Sequence, residues 1–327
     1  YPLVLAGGNR RRPAVNDAIV RSLNEGTLVW NYSGHGSPEN LGDERYFNEA
    51  ILNRLDNTDR PAIFVTATCS FGKFDIETQQ SMAEQVLLRP EGGGIAMFTT
   101  VRIVYTGSSP TGTDNFGLNV TLSDQMFTRD ENGRPRPLGD ILFETKNTTS
   151  GSSLNNRKFN LLGDPAMRIG LPERQVAVEA PAALRAYDET TVSGRVLRPD
   201  GSVDGAFSGE VDVRVFDALR VVRMPATPAP FLIPDNLPNG EYTLQTDAIY
   251  AGRATVRGGE FSATFRVPQD VSYSGQPAKV LAYVVGPNGV DASGANGRAI
   301  VSTEAGVRPD DGTGPSVRLF LGDTTFV

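Results

Sequence analysis

The sequence of 327 residues contains one cysteine, one histidine and one tryptophan. A single cysteine excludes a disulfide bond within the chain. A dedicated zinc site is not expected either, because such sites take three or four ligands, mostly histidine and cysteine. No apolar run approaches the ~18 residues of a membrane-spanning helix. The net charge is −7, so the chain lacks the basic face that nucleic acids require, and we expect no nucleic-acid partner.

The composition is that of a folded protein. Hydrophobic residues make up 39% of the chain and charged residues 21%, so it can bury a core. The length suits two domains, since domains usually hold about 100–200 residues. Both ends fall within apolar segments, which begin at Tyr1 and at Val317. We therefore expect this chain to be a piece of a longer polypeptide.

Residues 1–171 alternate apolar runs with helical periodicity. The runs Thr27–Tyr32, Pro61–Ala67 and Ile95–Thr100 are apolar along their length, which is typical of parallel strands covered on both faces. Apolar spacing and end signals predict four helices: Tyr46–Leu55, Met82–Leu88 capped by Ser81, Phe116–Phe127 and Leu138–Lys146. The pattern predicts an α/β domain.

Residues 172–307 have a different pattern, with short alternating segments separated by turns rich in proline, glycine, asparagine and aspartate. The segments are Thr191–Leu197, Val211–Phe216, Tyr242–Thr246, Glu260–Val267 and Ala278–Val285. Short strands at regular spacing predict a β-sandwich. Residues 308–327 are interpreted as a linker and the start of a further, truncated β domain.

The only histidine and the only cysteine each follow a predicted strand. His35 and Cys69 are 34 residues apart, with a predicted helix between them. One strand–helix–strand unit makes two strands parallel and brings their carboxyl ends together, where ligands bind in open sheets. A free thiol ionises only near about pH 8.5, and a neighbouring imidazole makes thiolate available at neutral pH. The spacing therefore predicts a catalytic pair.

The residues around this pair suit the same chemistry. Glycine lets the backbone approach a substrate closely, and Gly34 and Gly36 flank His35. We predict that the N–H of Gly34, with that of Cys69, holds the oxyanion of a tetrahedral intermediate. From the residues alone a second interpretation stays open, in which Cys69 is a small buried apolar residue and His35 is structural.

Other residues are weaker candidates. Three of them are candidates for lining a substrate cleft: Gly36, Ser70 and Asp75. A solvated loop is the alternative for Asp75. We expect no cofactor and no metal ion. Three acidic residues, Glu39, Asp43 and Glu44, have the oxygen ligands of a structural calcium ion but lack a spaced calcium loop. The alternative is that Asp43 or Glu44 favours the start of the helix predicted from Tyr46.

Two motifs carry a resemblance to a known family. Asn31–Ser37 (Asn-Tyr-Ser-Gly-His-Gly-Ser) resembles the histidine motif of the gingipain-like cysteine peptidases, and Val65–Phe71 (Val-Thr-Ala-Thr-Cys-Ser-Phe) resembles their cysteine motif. Within that family, four segments are most similar to the C-terminal signal peptidases, or sortases, of the type IX secretion system: Ala67–Asp75, Gly93–Arg102, Leu138–Ile141 and Lys158–Ala166. The resemblance covers about residues 1–170.

The resemblance implies a caspase-like fold for residues 1–171, with its first strands and any third catalytic residue upstream of Tyr1. It implies catalytic roles for His35 and Cys69, and an immunoglobulin-like sandwich for residues 172–307. The implied activity removes C-terminal secretion domains from type IX cargo through a thioester. Either water or an amine of a lipopolysaccharide-type glycan then resolves this thioester, and the sequence leaves both fates open. The implied partners are cargo proteins and outer-membrane secretion components. The implied location is the surface of a Gram-negative bacterium, associated with the outer membrane, or the medium.

Two alternatives to this function stay open. One is a secreted gingipain-like endopeptidase that cuts many proteins. The other belongs to a different class, a catalytically inert surface adhesin or scaffold. His35 and Cys69 both stand in matching motifs, and this weighs against the inert protein, since decayed enzymes usually lose one of the two.

Overall fold

The computed structural model describes residues 4–6, 9–107, 112, 114–149, 154–223 and 241–309. The chain divides into two compact units, residues 1–171 and 172–327. Most of the segment interpreted as a linker and a further β domain, residues 310–327, lies outside the described residues.

The first unit is built on a four-stranded sheet. A hairpin of β1 (Val4–Ala6) and β2 (Asn9–Arg11) precedes it. The sheet strands are β3 (Val29–Ser33), β4 (Ala62–Ala67), β5 (Gly94–Thr100) and β6 (Phe159–Leu162), in that order. Strands β3, β4 and β5 run parallel, and β6 pairs antiparallel with β5. The expected mixed α/β architecture is confirmed.

Within the described ranges of the first unit, six helices lie around this sheet: α1 (Pro13–Glu25), α2 (Glu49–Leu52), α3 (Met82–Leu88), α4 (Asn115–Met126), α5 (Leu138–Thr148) and α6 (Leu154–Lys158). The predictions for α3, α4 and α5 are confirmed to within two residues at either end. Helices α1 and α6 were not predicted.

The helix predicted over Tyr46–Leu55 is wrong in extent, because α2 holds only residues 49–52. Phe47 pairs with Leu41 in an isolated β-bridge, which keeps the preceding backbone extended. Asn48 then caps the helix by accepting a hydrogen bond from the N–H of Ile51 at 3.2 Å. The idea that Asp43 or Glu44 starts this helix is therefore wrong.

The sheet separates two apolar cores. All six residues of β4 are buried, as its unbroken apolar run predicted. Phe64 packs into the core that holds Phe47 and Met82, and its neighbour Val65 packs into the opposite core with α4 and α5. Strand β3 differs from the prediction of a fully covered strand, since its residues are half-buried or exposed.

Two of the segments that carried the resemblance contact each other. The N–H of Gly139, at the start of α5, donates to the carbonyl of Pro165 at 2.9 Å. A Cβ at Gly139 would lie 2.9 Å from the Cβ of Pro165, so only glycine fits without movement. These segments therefore fasten α5 to the chain that follows β6.

In its described residues, the second unit consists of strands and a 3-10 turn at Pro287–Gly289. These strands are β7 (Arg174–Glu179), β8 (Ala183–Leu184), β9 (Glu189–Leu197), β10 (Gly209–Phe216), β11 (Arg220–Arg223), β12 (Glu241–Leu244), β13 (Ala248–Val256), β14 (Glu260–Arg266), β15 (Lys279–Val285), β16 (Ala292–Asn296) and β17 (Ile300–Val301). Seven of them form one sheet, in the order β13, β10, β15, β16, β7, β9, β14. The five predicted strands are present, while the immunoglobulin-like arrangement stays a prediction.

Alternating burial explains why these segments were recognisable in the sequence. Along β14, Phe261, Ala263 and Phe265 are buried while the residues between them are exposed. A half-covered sheet selects apolar residues at every second position. In the described part of the chain, no helix combines the length and the apolar character that crossing a bilayer requires.

Replacing Ser81 by alanine is expected to lower the free energy of unfolding of the first unit by about 1 kcal/mol. The N–H of Glu84 donates to Ser81 Oγ at 3.4 Å, and the N–H of Ser81 donates to the Glu84 carboxylate at 2.8 Å. The variant removes the acceptor of the Glu84 N–H and the hydroxyl that donates to the Glu84 carboxylate at 2.7 Å. The backbone N–H of residue 81 keeps its hydrogen bond to that carboxylate. Urea unfolding followed by the fluorescence of Trp30, the only tryptophan, reports on this unit.

The matched control for this change is Ser123→Ala. The Ser123 hydroxyl donates to the Asn119 carbonyl inside α4 at 2.8 Å. That carbonyl is also an acceptor in the backbone hydrogen-bond pattern of the helix. We expect this control to change the free energy of unfolding by less than about 0.5 kcal/mol. Equal losses for the two variants would contradict the role of the cap.

Candidate active site

His35 and Cys69 follow the carboxyl ends of two neighbouring parallel strands. Strands β3 and β4 pair with Ser33 opposite Ala67, so His35 and Cys69 each lie two residues beyond a matched pair. The N–H of Gly34 donates to the carbonyl of Ala67 at 3.3 Å, which continues the pairing past the strands. Paired strands lie about 4.8 Å apart. The topology therefore brings the histidine loop beside the cysteine loop.

The two loops also touch through side-chain packing. A Cβ at Gly36 would lie 2.4 Å from Oγ1 and 3.0 Å from Cγ2 of Thr68, so Gly36 is pressed against the residue before Cys69. Thr68 is buried, and its hydroxyl has no hydrogen-bond partner among the described residues. Gly36 and Thr68 thus form the direct contact between the residues that flank the candidate pair.

The backbone of His35 is held on two sides while its imidazole is exposed. The His35 carbonyl accepts hydrogen bonds from the N–H of Gly42 at 2.7 Å and from Tyr32 Oη at 2.8 Å. Burial, and then the neighbouring Tyr46, raise the pKa of Tyr32 above its usual range, so the phenol stays protonated and donates. A cavity of about 280 Å³ opens beside the imidazole and is lined by His35, Gly36, Ser37, Asn40, Gly42 and Asp43.

Cys69 is a half-buried free thiol. Its Sγ lies 3.6 Å from the carbonyl oxygen of Val104, in the segment that follows β5. The same segment holds the next residue, because the N–H of Ser70 donates to the carbonyl of Arg102 at 3.2 Å. Ser70 has a φ of 53°, in the left-handed region that non-glycine residues seldom adopt. The cysteine loop is therefore a tight turn fastened to the chain after β5.

The hydrogen bonds change the expected oxyanion donors. The N–H of Gly34, which was predicted to be one of them, is already bonded to the Ala67 carbonyl because it extends the β3–β4 pairing by one residue. Within the described ranges, no hydrogen bond uses the N–H of Gly36 or of Cys69. Gly36 rather than Gly34 is thus the glycine with an N–H available to a substrate oxygen.

Asp75, a candidate for lining the cleft, forms an ion pair. Both its carboxylate oxygens accept from Arg102, from Nη1 at 3.0 Å and from Nη2 at 2.5 Å. These hydrogen bonds hold the pKa of Asp75 below its ordinary value, so the carboxyl stays ionised at neutral pH. The pair joins the cysteine loop to the chain after β5.

Two of the three acidic residues considered for calcium form ion pairs. Asp43 and Glu44 pair with Arg10, at 3.7 and 3.5 Å. The described part of the chain contains no group of three or more His, Cys, Asp or Glu side chains that could hold a metal ion.

A second cavity near His35 was not predicted. Its volume is about 560 Å³, and Asn40 lines both this cavity and the smaller one beside the imidazole. The other residues that line it are mostly polar: Glu39, Arg45, Asn48, Glu49, Ala50, Gln79, Gln80, Met82 and Gln85. Carboxamides both donate and accept hydrogen bonds, so this cavity suits a polar ligand.

The segment Val101–Tyr105 was not predicted to be part of the site. The signal was present, because the rule that ligands bind beyond the ends of parallel strands applies to β5 as well as to β3 and β4. Arg102 and Val104 lie just beyond the carboxyl end of β5, and both contact the cysteine loop.

Comparisons with known proteins agree with the motifs. The model of peptidase family C25 matches residues 3–170. No curated protein matches the chain. A solved structure of dimeric latent PorU from Porphyromonas gingivalis is 25% identical, with a TM-score of 0.39, over 72% of this chain and 22% of that one. The chain thus spans 22% of the length of that relative.

Two further structures are similar over part of the chain. One, described only as a protease, is 14% identical with a TM-score of 0.38, over 84% of this chain and 54% of its own. The sporulation control protein Spo0M from Bacillus subtilis is 17% identical with a TM-score of 0.28, over 39% of this chain and 49% of its own. TM-scores below 0.5 do not establish a shared fold, so the assignment depends on the family model. Because that model spans more than half of the 327 residues, the chain belongs to peptidase family C25, the gingipain family of cysteine peptidases.

Proposed function

We propose that this chain carries the catalytic pair of an endopeptidase and transpeptidase that removes C-terminal secretion domains from type IX cargo, with Cys69 as nucleophile and His35 as its base. The in-register pairing of β3 and β4 carries the assignment of the pair, because it sets the two loops side by side. The finer activity is supported by the four segments that resemble type IX C-terminal signal peptidases.

The first half of the reaction forms a thioester. Cys69 Sγ bonds to the carbonyl carbon of the scissile peptide, and its proton passes to His35 Nε2 or Nδ1. The oxyanion that develops accepts from the free N–H groups of Gly36 and Cys69. The carbon–nitrogen bond then breaks, and the imidazolium of His35 returns the proton to the departing amine of the secretion domain.

The second half of the reaction resolves the thioester. Water gives a free carboxylate, while a glycan amine gives an amide, and in both cases His35 takes the proton of the attacking group and the thiol is restored. An amine acceptor must approach on the His35 side, where the leaving amine departed. The carboxamide-lined cavity that shares Asn40 with the His35 cavity supports a bound, hydroxyl-rich acceptor there.

The setting follows from the same resemblance. We propose that the protein acts at the outer surface of a Gram-negative outer membrane, with cargo proteins and outer-membrane secretion components as its partners. For the second unit we propose an immunoglobulin-like sandwich that supports the catalytic unit or docks a partner. Its strand composition and alternating burial support this assignment.

Intact-mass measurement tests the proposal on the full-length protein. The substrate is a cargo protein with a type IX C-terminal domain, incubated with and without glycine amide as a soluble amine. The proposal predicts cleavage at one site and a cargo mass that carries the amine. Scattered cleavage without an adduct would identify a general endopeptidase instead. An unchanged cargo mass, from protein shown to be folded, would favour the inert scaffold.

A further inference from the structure

The segment Val101–Tyr105 forms a wall beside the candidate nucleophile without belonging to a helix or a strand. Val104 is 9% exposed and its carbonyl oxygen lies 3.6 Å from Cys69 Sγ. Its neighbours Ile103 and Tyr105 are 63% and 66% exposed. A segment this exposed needs contacts with the rest of the fold to hold one carbonyl against a thiol.

Helix α6 provides that support through two side chains. The Asn155 carboxamide makes two hydrogen bonds with the backbone of Tyr105. Its Nδ2 donates to the Tyr105 carbonyl at 2.6 Å, and its Oδ1 accepts from the Tyr105 N–H at 3.0 Å. Lys158 Nζ donates to the carbonyl of Ile103 at 2.7 Å and lies 5.2 Å from the centre of the Tyr105 ring. The N–H of Val101 donates to the Lys158 carbonyl at 3.0 Å.

The directions of the carbonyl groups connect these contacts with the thiol. The Ile103 and Tyr105 carbonyls accept from side chains of α6, and that of Tyr105 also accepts from the N–H of Asn115, the first residue of α4, at 2.9 Å. The carbonyl between them, that of Val104, meets Cys69 Sγ instead. Fixing the two outer carbonyls therefore fixes the direction of the one that meets the sulfur.

We propose that Lys158 and Asn155 are positioning residues, which hold the wall Val101–Tyr105 so that the Val104 carbonyl orients the Cys69 thiol. This proposal rests on the proposed function in taking Cys69 as the nucleophile. It also assigns a role to the first residue of the segment Lys158–Ala166, which the catalytic pair leaves unexplained. Lys158 acts through the wall and touches no reacting atom.

The test uses Lys158→Met in the full-length protein, because methionine keeps an apolar stem on Tyr105 but has no donor for the Ile103 carbonyl. We expect kcat for cargo cleavage to fall about 10-fold to 100-fold, with KM changed less than kcat, since a displaced nucleophile affects chemistry more than binding. Amide exchange of residues 101–105, measured by mass spectrometry, should become faster. Lys158→Arg keeps a charged donor and should restore kcat to within about 3-fold of the wild type.

Arg157→Met is the matched control. It removes one positive charge from the same short helix at an exposed position that makes none of the wall contacts. If Lys158→Met matches Arg157→Met in kcat and in exchange of residues 101–105, the proposal is overturned. If the wild type cleaves nothing yet Lys158→Met, unlike Arg157→Met, speeds exchange of residues 101–105, Lys158 does hold the wall and the proposed function fails. Should Lys158→Met fail to fold, Tyr105→Leu takes its place, because it removes the ring beneath the Lys158 ammonium. We expect this variant too to have a lower kcat and faster exchange of residues 101–105. A Tyr105→Leu protein with the kcat and the exchange rate of the wild type would overturn the proposal.

Discussion

Replacing Cys69 by alanine will lower the rate of cargo cleavage by the full-length protein by about 10,000-fold or more, because no thioester can form without the sulfur. Transfer to an amine will be lost to the same extent, since both fates pass through that thioester. The rate is measured as the appearance of cargo without its secretion domain in intact-mass spectra. Retained cleavage in this variant would exclude Cys69 as the nucleophile.

The fold is expected to survive this change. Cys69 is half-buried, and its side chain makes one weak hydrogen bond, to the Val104 carbonyl at 3.6 Å. Losing one sulfur atom at such a position should cost no more than about 1 kcal/mol, which thermal unfolding of the variant will show. Cys69→Ser is the matched control for shape, and it should be nearly as inactive because a hydroxyl is a far weaker nucleophile at neutral pH.

Replacing Gly36 by alanine will lower kcat by about 100-fold, although the change adds a single methyl group. The new Cβ would lie 2.4 Å from Thr68 Oγ1 and 3.0 Å from Thr68 Cγ2, so rotating the threonine does not clear the space. The histidine loop must move away from the cysteine loop. That movement separates His35 from Cys69 and shifts the free N–H of Gly36, and the steady-state rate of cargo cleavage will report it.

A second substitution distinguishes a steric effect from general damage. Thr68→Ala removes both crowding atoms, and its lost hydroxyl has no hydrogen-bond partner among the described residues. The double variant Gly36→Ala/Thr68→Ala should therefore recover most of the lost activity, whereas additive losses would contradict the packing argument. Gly170→Ala is the matched control, since a Cβ there meets nothing within 4 Å.

The elements that sequence reasoning predicted well carry complete local signals. Helix α3 begins after a serine cap with its glutamate three residues on, and ends before a proline, so both of its boundaries were visible. Strand β4 is apolar along its length because both its faces are covered. The pattern over Tyr46–Leu55 misled because Phe47 is buried through a bridge to Leu41, and burial by a loop produces the same apolar spacing as burial by a helix.

The candidate site also has parts that the sequence predicted and parts that it did not. The spacing of His35 and Cys69 around one strand–helix–strand unit was enough to predict that their loops meet, because the connection rules leave few alternatives for so short a crossover. The hydrogen-bond partners were not predictable from spacing. Gly34 and Gly36 are equivalent in the sequence, and only the β3–β4 ladder shows that the first N–H is occupied.

By itself, the sequence determined that this chain has an α/β unit followed by a β unit, and it determined which histidine and cysteine follow neighbouring strands. These properties depend on periodicity and short-range connection, which a linear pattern records. The tertiary structure alone decided what surrounds the thiol. Val104 contacts Cys69 across 35 residues, and Lys158 contacts Ile103 across 55. Such contacts depend on how the strands and helices pack in three dimensions. A local sequence pattern does not show which distant residue will lie against a given side chain.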